Sequence, residues 1–305
     1  MNILILGSTG FIGKNLLKKL IAMGYNVFTA ERSSGVDLRS YEQVISLLRR
    51  TNPEVVFNLA SHGGSVHYVK TFPADVFFDN VQMSLNLYKA ISEINPSIKI
   101  IQPLSNCSYP GDSQIQKEEE WLSGDVHPSV FSFGNSKRSV YYGSKCYRNQ
   151  YGIKTINMIF PNTYGPGDST DPNHTHALNG MAIRMLKAKI SKDRKFFVWG
   201  TGAPIREWVY IDDFIEVLVR CLKIEAQEYP VNVGHGRGYS IADSAALIKR
   251  ACGFNGQIVF DTKYKDGDPI KIVDGSRFKN LFKDFEFYDH FKGIENTIRY
   301  YEKLI

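Results

Sequence analysis

The run Ile3-Leu4-Ile5-Leu6, followed at once by Gly7-Ser8-Thr9-Gly10-Phe11-Ile12-Gly13, restricts this chain more than any other stretch. Four apolar residues without alternation form a strand covered on both faces, the situation of a buried parallel sheet. A G-x-x-G-x-x-G turn ends it, and Phe11, Ile12, Leu16, Leu17 and Leu20 then repeat at helical spacing. Strand, glycine turn and helix in this order form a phosphate cradle. The first glycine makes the tight turn, the second admits a pyrophosphate to the backbone, and the third lets helix and strand pack closely. Free amides at the helix N-terminus meet the phosphate charge. The opening of the chain therefore predicts a dinucleotide site.

Further apolar runs alternate with helical patterns, which predicts a doubly wound parallel α/β sheet with a smaller C-terminal lobe for substrate. Strands are expected at 25–30, 54–59, 98–104, 153–160, 196–199, 207–211, 230–233 and 258–260. Helices are expected at 41–50, 73–95, 133–151, 176–189 and 293–304. A further helix should begin at Asp212 or Asp213 as its cap, and another at Ser240. Residues 114–128 read as loop, and 161–167 as a turn-dense strand exit. The expected division is a dinucleotide domain over 1–162, to which 207–235 return, and a lobe from 163–206 and 236–305.

The second strand ends at Glu31-Arg32. An acid here suits the ribose hydroxyls of NAD and an arginine suits the extra phosphate of NADP, so both cofactors stay open, with NAD favoured by Glu31. Asp37 and Leu38, after Val36, form either a loop over the adenine or a plain surface turn. The 305 residues carry a net charge of +6 without any basic block, which argues against nucleic acid. No apolar run approaches the roughly 20 residues of a membrane span. The four cysteines show no metal-like spacing, no metal site is expected, and a cytoplasmic setting with free thiols is.

Several motifs together resemble one family: the glycine turn, Asn58-Leu59-Ala60, Ser105 at a strand end, Tyr164-Gly165-Pro166-Gly167, Arg206 through Asp213, and Asn232-Val233-Gly234. The chain is similar to the extended short-chain dehydrogenase/reductases of the NAD-dependent epimerase/dehydratase family that act on nucleotide sugars. Gly63-Gly64, Pro73-Ala74-Asp75, Ser105-x-Cys107-x-Tyr109-Pro110, His176, Val198-Trp199-Gly200, Phe260-Asp261, Asp266-Gly267 and Pro269 look most like its GDP-L-fucose synthase branch, the 4-keto-6-deoxymannose 3,5-epimerase/4-reductases.

The resemblance implies a Ser/Tyr/Lys set working with NAD or NADP at sugar C4. Ser105 and Lys137 match, but the tyrosine position, eighteen residues before Tyr151-Gly152, holds Phe133. Tyr141 and Lys145 have the same spacing, yet they lie about 12 Å further along the helix. Phe133 is either an engineered Tyr-to-Phe change or a natural loss of the redox step, and the intact surroundings favour the engineered change. The resemblance further implies an epimerase pair, Cys107 and His176, acting beside a 4-keto group. Cofactor contacts are implied for Gly7 through Gly13, Glu31, Arg32, Asp37, Leu38, Leu59, Ala60, Ser61, Lys137 and Pro161. Asn162, Arg184, Trp199, Arg206 and Lys265 are implied for the substrate, a GDP-linked hexose or heptose. A homodimer through 74–95 and 133–151 is implied too. The rival readings are a C3/C5 epimerase without net redox, a C4 epimerase or dehydrogenase on another nucleotide sugar, and a silent NAD(P)-binding member.

Overall fold

A computed structural model describes residues 1–305. Strands β1 (Asn2–Leu6), β2 (Asn26–Ala30), β3 (Val55–Asn58), β4 (Lys99–Ser105) and β5 (Thr155–Phe160) form the central sheet. The short β10 (Val231–Asn232) joins its edge, giving the order β10-β5-β4-β3-β1-β2 with every neighbour parallel. The chain thus winds outward from β1 in both directions, and the carboxyl ends of β1 and β4 open on the same crevice.

Both faces of the sheet are covered, which accounts for the unbroken apolar runs. Ile3 and Ile5 join Val55, Phe57 and Ile101 in one core. Leu4 and Leu6 join Val56 and Ile100 in the other. Helices α1 (Phe11–Ala22) and α7 (Ile211–Arg220) cover the first face, through Leu16, Leu20, Phe214 and Leu218. Helices α2 (Tyr41–Thr51) and α4 (Pro73–Ile94) cover the second, through Val44, Leu47, Leu87 and Ile91. The short α3 (Val66–Thr71) precedes α4, and α5 (Phe131–Tyr151) packs along α4.

The later segments build three small sheets. Strand β6 (Asn162–Tyr164) pairs with β9 (Trp208–Tyr210), and β7 (Lys195–Trp199) pairs with β12 (Gln257–Asp261). Strand β8 (Ile205–Arg206) lies between β11 (Tyr239–Ser240) and β13 (Ile270–Lys271). Helices α6 (Ala177–Ile190), α8 (Ile241–Cys252), α9 (Ser276–Leu281) and α10 (His290–Glu302) complete the chain. No helix is long and apolar enough to cross a membrane.

Three expectations need correction. The turn-dense segment after β5 contains β6, whose partner β9 lies 46 residues further on and left no local signature. Asp212 and Asp213 do not cap α7: Tyr210 precedes it without a side-chain cap, and both acids sit in the first turn, where they complement the helix dipole. His290 already belongs to the last helix, capped by the Asp289 carboxylate, which accepts from the Lys292 amide. Ser240, by contrast, is the α8 cap, in a reciprocal box with Asp243.

The turn after β1 is as tight as its glycines imply. Gly7 has φ +82°, and a Cβ there would stand 2.9 Å from the Ala60 backbone. A Cβ on Gly13 would overlap the Gly7 carbonyl oxygen and come within 2.7 Å of the Ser8 Cα. G13A should therefore lose about 3 kcal/mol of stability through forced separation of α1 from β1. Urea unfolding checks this, and a loss under about 0.5 kcal/mol, the size of an ordinary surface change, would refute the close-packing role.

Candidate active site

The amides opening α1 have no side-chain competitor, because Gly10 precedes the helix without any cap. They face a cavity of about 360 Å³ lined by Gly7, Thr9, Gly10, Glu31, Arg32, Asp37, Leu38, Leu59, Ala60 and Ser61. Those ten were expected from the sequence. The cradle fits a dinucleotide pyrophosphate: Cβ-free backbone at the turn, open amides at the helix, and carboxylates at the ribose end. Ser8 lies buried behind the turn and donates to Glu31 Oε2 at 2.6 Å. Phe11, Ile12 and Gly13 shape the cradle from the helix without lining it, and Pro161 is buried between β5 and β6.

Arg39, His62, Asp79 and Met83 also line the cavity and were missed. Their signal is spatial only, since α4 brings Asp79 to the crevice from another part of the chain. Arg39 donates to Asp37 Oδ2 at 2.6 Å and to Asp79 Oδ1 at 3.3 Å. The arginine holds the Asp37 carboxyl down at about 2.

At the end of β4 the backbone turns through Ser105, whose Oγ accepts from the Cys107 amide at 3.2 Å. Helix α5 presses onto this turn at Gly134, where a Cβ would stand 2.5 Å from the Cys107 carbonyl oxygen. That glycine brings Phe133 and Lys137, one helical turn apart, to the same end of the sheet as Ser105 and Cys107. Lys137 is 7% exposed. Its Nζ donates to Ser61 Oγ at 3.2 Å and sits 5.1 Å from the Phe133 ring centre. No carboxylate or phenol answers it, and burial pushes the amine down from 10.5 to about 8. Tyr141 is buried against Trp121, away from this lysine.

Cys107 has a cation beside it. Lys271 Nζ lies 3.6 Å from Sγ and 3.9 Å from Asp268 Oδ2. Lys271 is paired with Arg206 across β13 and β8, so both cations rise from one patch of sheet behind the thiol. Burial lowers the Arg206 guanidinium, against the pull of Asp268, Cys107 and Asp266. Lys271 was missed in the sequence, because two-residue strands carry no alternation to place it. The expected Lys265 lies six residues earlier on an exposed loop, without an ion pair.

His176 begins α6 next to α1, its ring 5.4 Å from that of Phe11. Its Nδ1 lies 3.0 Å from Asp168 Oδ2, which leaves Nε2 as the free ring nitrogen. Burial alone would raise the Asp168 carboxyl; bonds from His176 and Asn179 bring it below its ordinary value. Arg184 packs 5.3 Å from the ring centre of the exposed Trp199, which stacks on Tyr264 at 5.0 Å. Asn162 donates to the Glu207 carbonyl at 3.3 Å and ties β6 to β9.

A dinucleotide cradle, a serine and lysine at the strand ends, and a thiol beside two cations define a pyridine-dinucleotide enzyme. The sequence matches the NAD dependent epimerase/dehydratase family over residues 3–234. The chain belongs to that family and is an NAD(P)-dependent enzyme. GDP-L-fucose synthase of Sinorhizobium fredii is 30% identical over 276 residues, 90% of this chain and 87% of that protein. The structure of GDP-mannoheptose C4 reductase from Campylobacter jejuni with NADP bound aligns at a TM-score of 0.86 and 26% identity, covering 98% of each chain. A GDP-6-OMe-4-keto-L-xylo-heptose reductase from C. jejuni shares the fold at a TM-score of 0.90 and 23% identity, covering 99% of this chain and 98% of that one.

The buried, unanswered Lys137 yields a prediction. Its folded value lies below its unfolded one, so the unfolded chain binds more protons between about pH 8 and 10.5. The penalty, about 3 kcal/mol before the Ser61 bond offsets part of it, is full below pH 8 and fades as pH rises. K137M should stabilise the protein by about 1–3 kcal/mol at pH 7 and lose that advantage above about pH 10. Urea unfolding at both pH values measures it; equal gains at the two would disprove the charge argument.

Proposed function

We propose that the protein carries out NAD(P)-dependent redox chemistry at C4 of a GDP-linked 4-keto hexose or heptose, with epimerisation at C3 or C5 in its repertoire. The observation that supports this most is the meeting of Ser105, Cys107 and Lys137 at the strand ends beside the dinucleotide cradle, through the Gly134 contact and the Lys137–Ser61 bond. The dinucleotide, when bound, supplies or accepts the hydride. Ser105 Oγ bonds the sugar carbonyl oxygen and polarises it. Lys137 bonds the ribose and favours ionisation of any acid beside it.

For epimerisation, the hydrogens at C3 and C5 lie next to the 4-keto group and leave as protons through an enolate. Cys107, with Lys271 Nζ 3.6 Å from its sulfur, removes one proton, and His176 returns one to the opposite face. Arg184 and Arg206 are assigned to the diphosphate, where a planar guanidinium fits two phosphate oxygens, and Trp199 to the base. Asn162 and Lys265 are assigned to the sugar and ribose. NAD is the favoured cofactor. Glu31 has no cation bonded to it and would repel a 2′-phosphate. The exposed Phe78 and Leu85 of α4 and Phe131 and Tyr142 of α5 are assigned to a second copy of the chain, forming a homodimer.

Phe133 has no proton to give, and the retention of Ser105 and Lys137 around it supports a replaced tyrosine. F133Y should raise NAD(P)H-dependent reduction of a GDP-4-keto sugar by about 10²–10⁴. Absorbance of the reduced cofactor follows it; an F133Y chain that reduces nothing would sink the redox reading. Solvent deuterium entering the 4-keto sugar with no change in that absorbance would favour the epimerase-only alternative. E31A should shift the ratio of dissociation constants toward NADP, and a parent chain that binds NADP more tightly than NAD would overturn the NAD preference.

A further inference from the structure

One connected row of titratable side chains borders the same crevice and has no part in the chemistry above. Asp79 Oδ2 lies 2.8 Å from His62 Nδ1, and His62 Nε2 lies 2.8 Å from the Tyr68 hydroxyl. Asp79 is 8% exposed and is held from its other side by Arg39. A carboxylate at Nδ1 fixes the proton there and leaves Nε2 to accept the Tyr68 O–H. Carboxylate, imidazole and hydroxyl in this order give the hydroxyl a route to exchange its proton with the imidazole.

The place of this row gives it meaning. His62 and Asp79 line the dinucleotide cavity. The next two residues are Gly63 and Gly64, and a ring abuts each. A Cβ on Gly63 would stand 3.1 Å from Phe133 Cε2, and one on Gly64 would stand 2.9 Å from Tyr68 Cδ1. The Tyr68 ring thus abuts one glycine of a bare two-residue strip and the Phe133 ring the other, while the Tyr68 hydroxyl reaches His62 at the cavity wall. The Ser132 hydroxyl donates to the Val69 carbonyl at 3.3 Å and fixes the Tyr68 helix to the start of α5. On its other side the Tyr68 ring packs 5.2 Å from His174, on the loop that carries His176. The local backbone is secured without the phenol: Ser65 caps α3 through the Tyr68 amide, and the Ser65 amide bonds the Asn173 carbonyl at 2.7 Å.

We propose that Tyr68, backed by His62 and Asp79, is a second proton donor of the sugar site and carries the reduction that Phe133 cannot assist. The proposal rests on the C4 redox reading. In the step, C4 gains a hydride from the reduced pyridine dinucleotide, which becomes oxidised, and the carbonyl pair moves onto O4. The Tyr68 O–H bond breaks as an O–H bond forms on O4. The phenolate is reprotonated through His62, which takes a proton from solvent and whose cation Asp79 stabilises. In the oxidative direction the same bonds run backward, with His62 accepting the phenol proton.

The test uses the full chain with Phe133 and the F133Y chain, each with and without Y68F, reducing a GDP-4-keto sugar. Y68F should lower kcat at least tenfold more in the Phe133 chain than in the F133Y chain, with KM changed less than threefold. Equal losses in both backgrounds would mark Tyr68 as merely structural and overturn the proposal. So would a Phe133 chain without measurable reduction while F133Y is active, and the C4 reading would survive that result. An F133Y chain that reduces nothing removes the C4 reading and this proposal together. A second measurement is independent of turnover: nitration of Tyr68 by tetranitromethane, followed by peptide mass spectrometry. H62Q and D79N should each slow it at least threefold, and unchanged nitration in both would also overturn the proposal.

Discussion

The contact between the start of α1 and the end of β1 governs the rest of this molecule. Gly13 rests on the Gly7 carbonyl with no room for a methyl group, and Gly7 itself lies against Ala60 at the end of β3. Those two approaches draw the helix N-terminus into the opening between β1 and β3. Amides that would otherwise be satisfied by water or a capping side chain are thereby aimed at a phosphate. The other functional groups are placed relative to that opening: Glu31 at the end of β2, Ser61 after β3, and Ser105 at the end of β4.

The other half of the candidate site depends on a second intimate contact, of a different kind. Gly134 lets α5 lie on the Cys107 carbonyl, which places a lysine in a nearly dry position with only a serine hydroxyl and an aromatic ring for company. A buried ammonium of this kind is a local instability. Natural sequences retain such instabilities where the charge acts on a ligand. The thiol on the same turn has the reverse environment, with Lys271 and Arg206 supplying positive charge from neighbouring strands. A cation short of anions on α5 thus sits beside a turn whose thiol has a cation against it.

The sheet strands and the longer helices were legible in the sequence because their physics is local. Apolar runs covered on both faces, the glycine turn and the Ser240 cap each write themselves into consecutive residues. The exit strand β6, the two-residue β8 and β13, and the short α3 did not. They are specified by partners 40 to 70 residues away or by packing alone. The same divide runs through the site. The glycines announce themselves by spacing, and Ser105, Cys107 and Lys137 only through the family resemblance; the structure brings them to one end of the sheet. Lys271 and the row from Asp79 to Tyr68 become visible only once the sheet is closed. Lys265 stands on an exposed loop, where the geometry adds nothing to the motif that singled it out.

The bond between Lys271 and Cys107 joins residues 164 positions apart, and the Gln116–Val273 bridge closes a loop almost as large. During synthesis the sheet strands β1 to β5 and their helices emerge first and contain most of what a dinucleotide needs. The cation behind the thiol arrives only when the last tenth or so of the chain has left the ribosome. The segments that line the dinucleotide cavity are thus made well before the cation that stands beside the thiol.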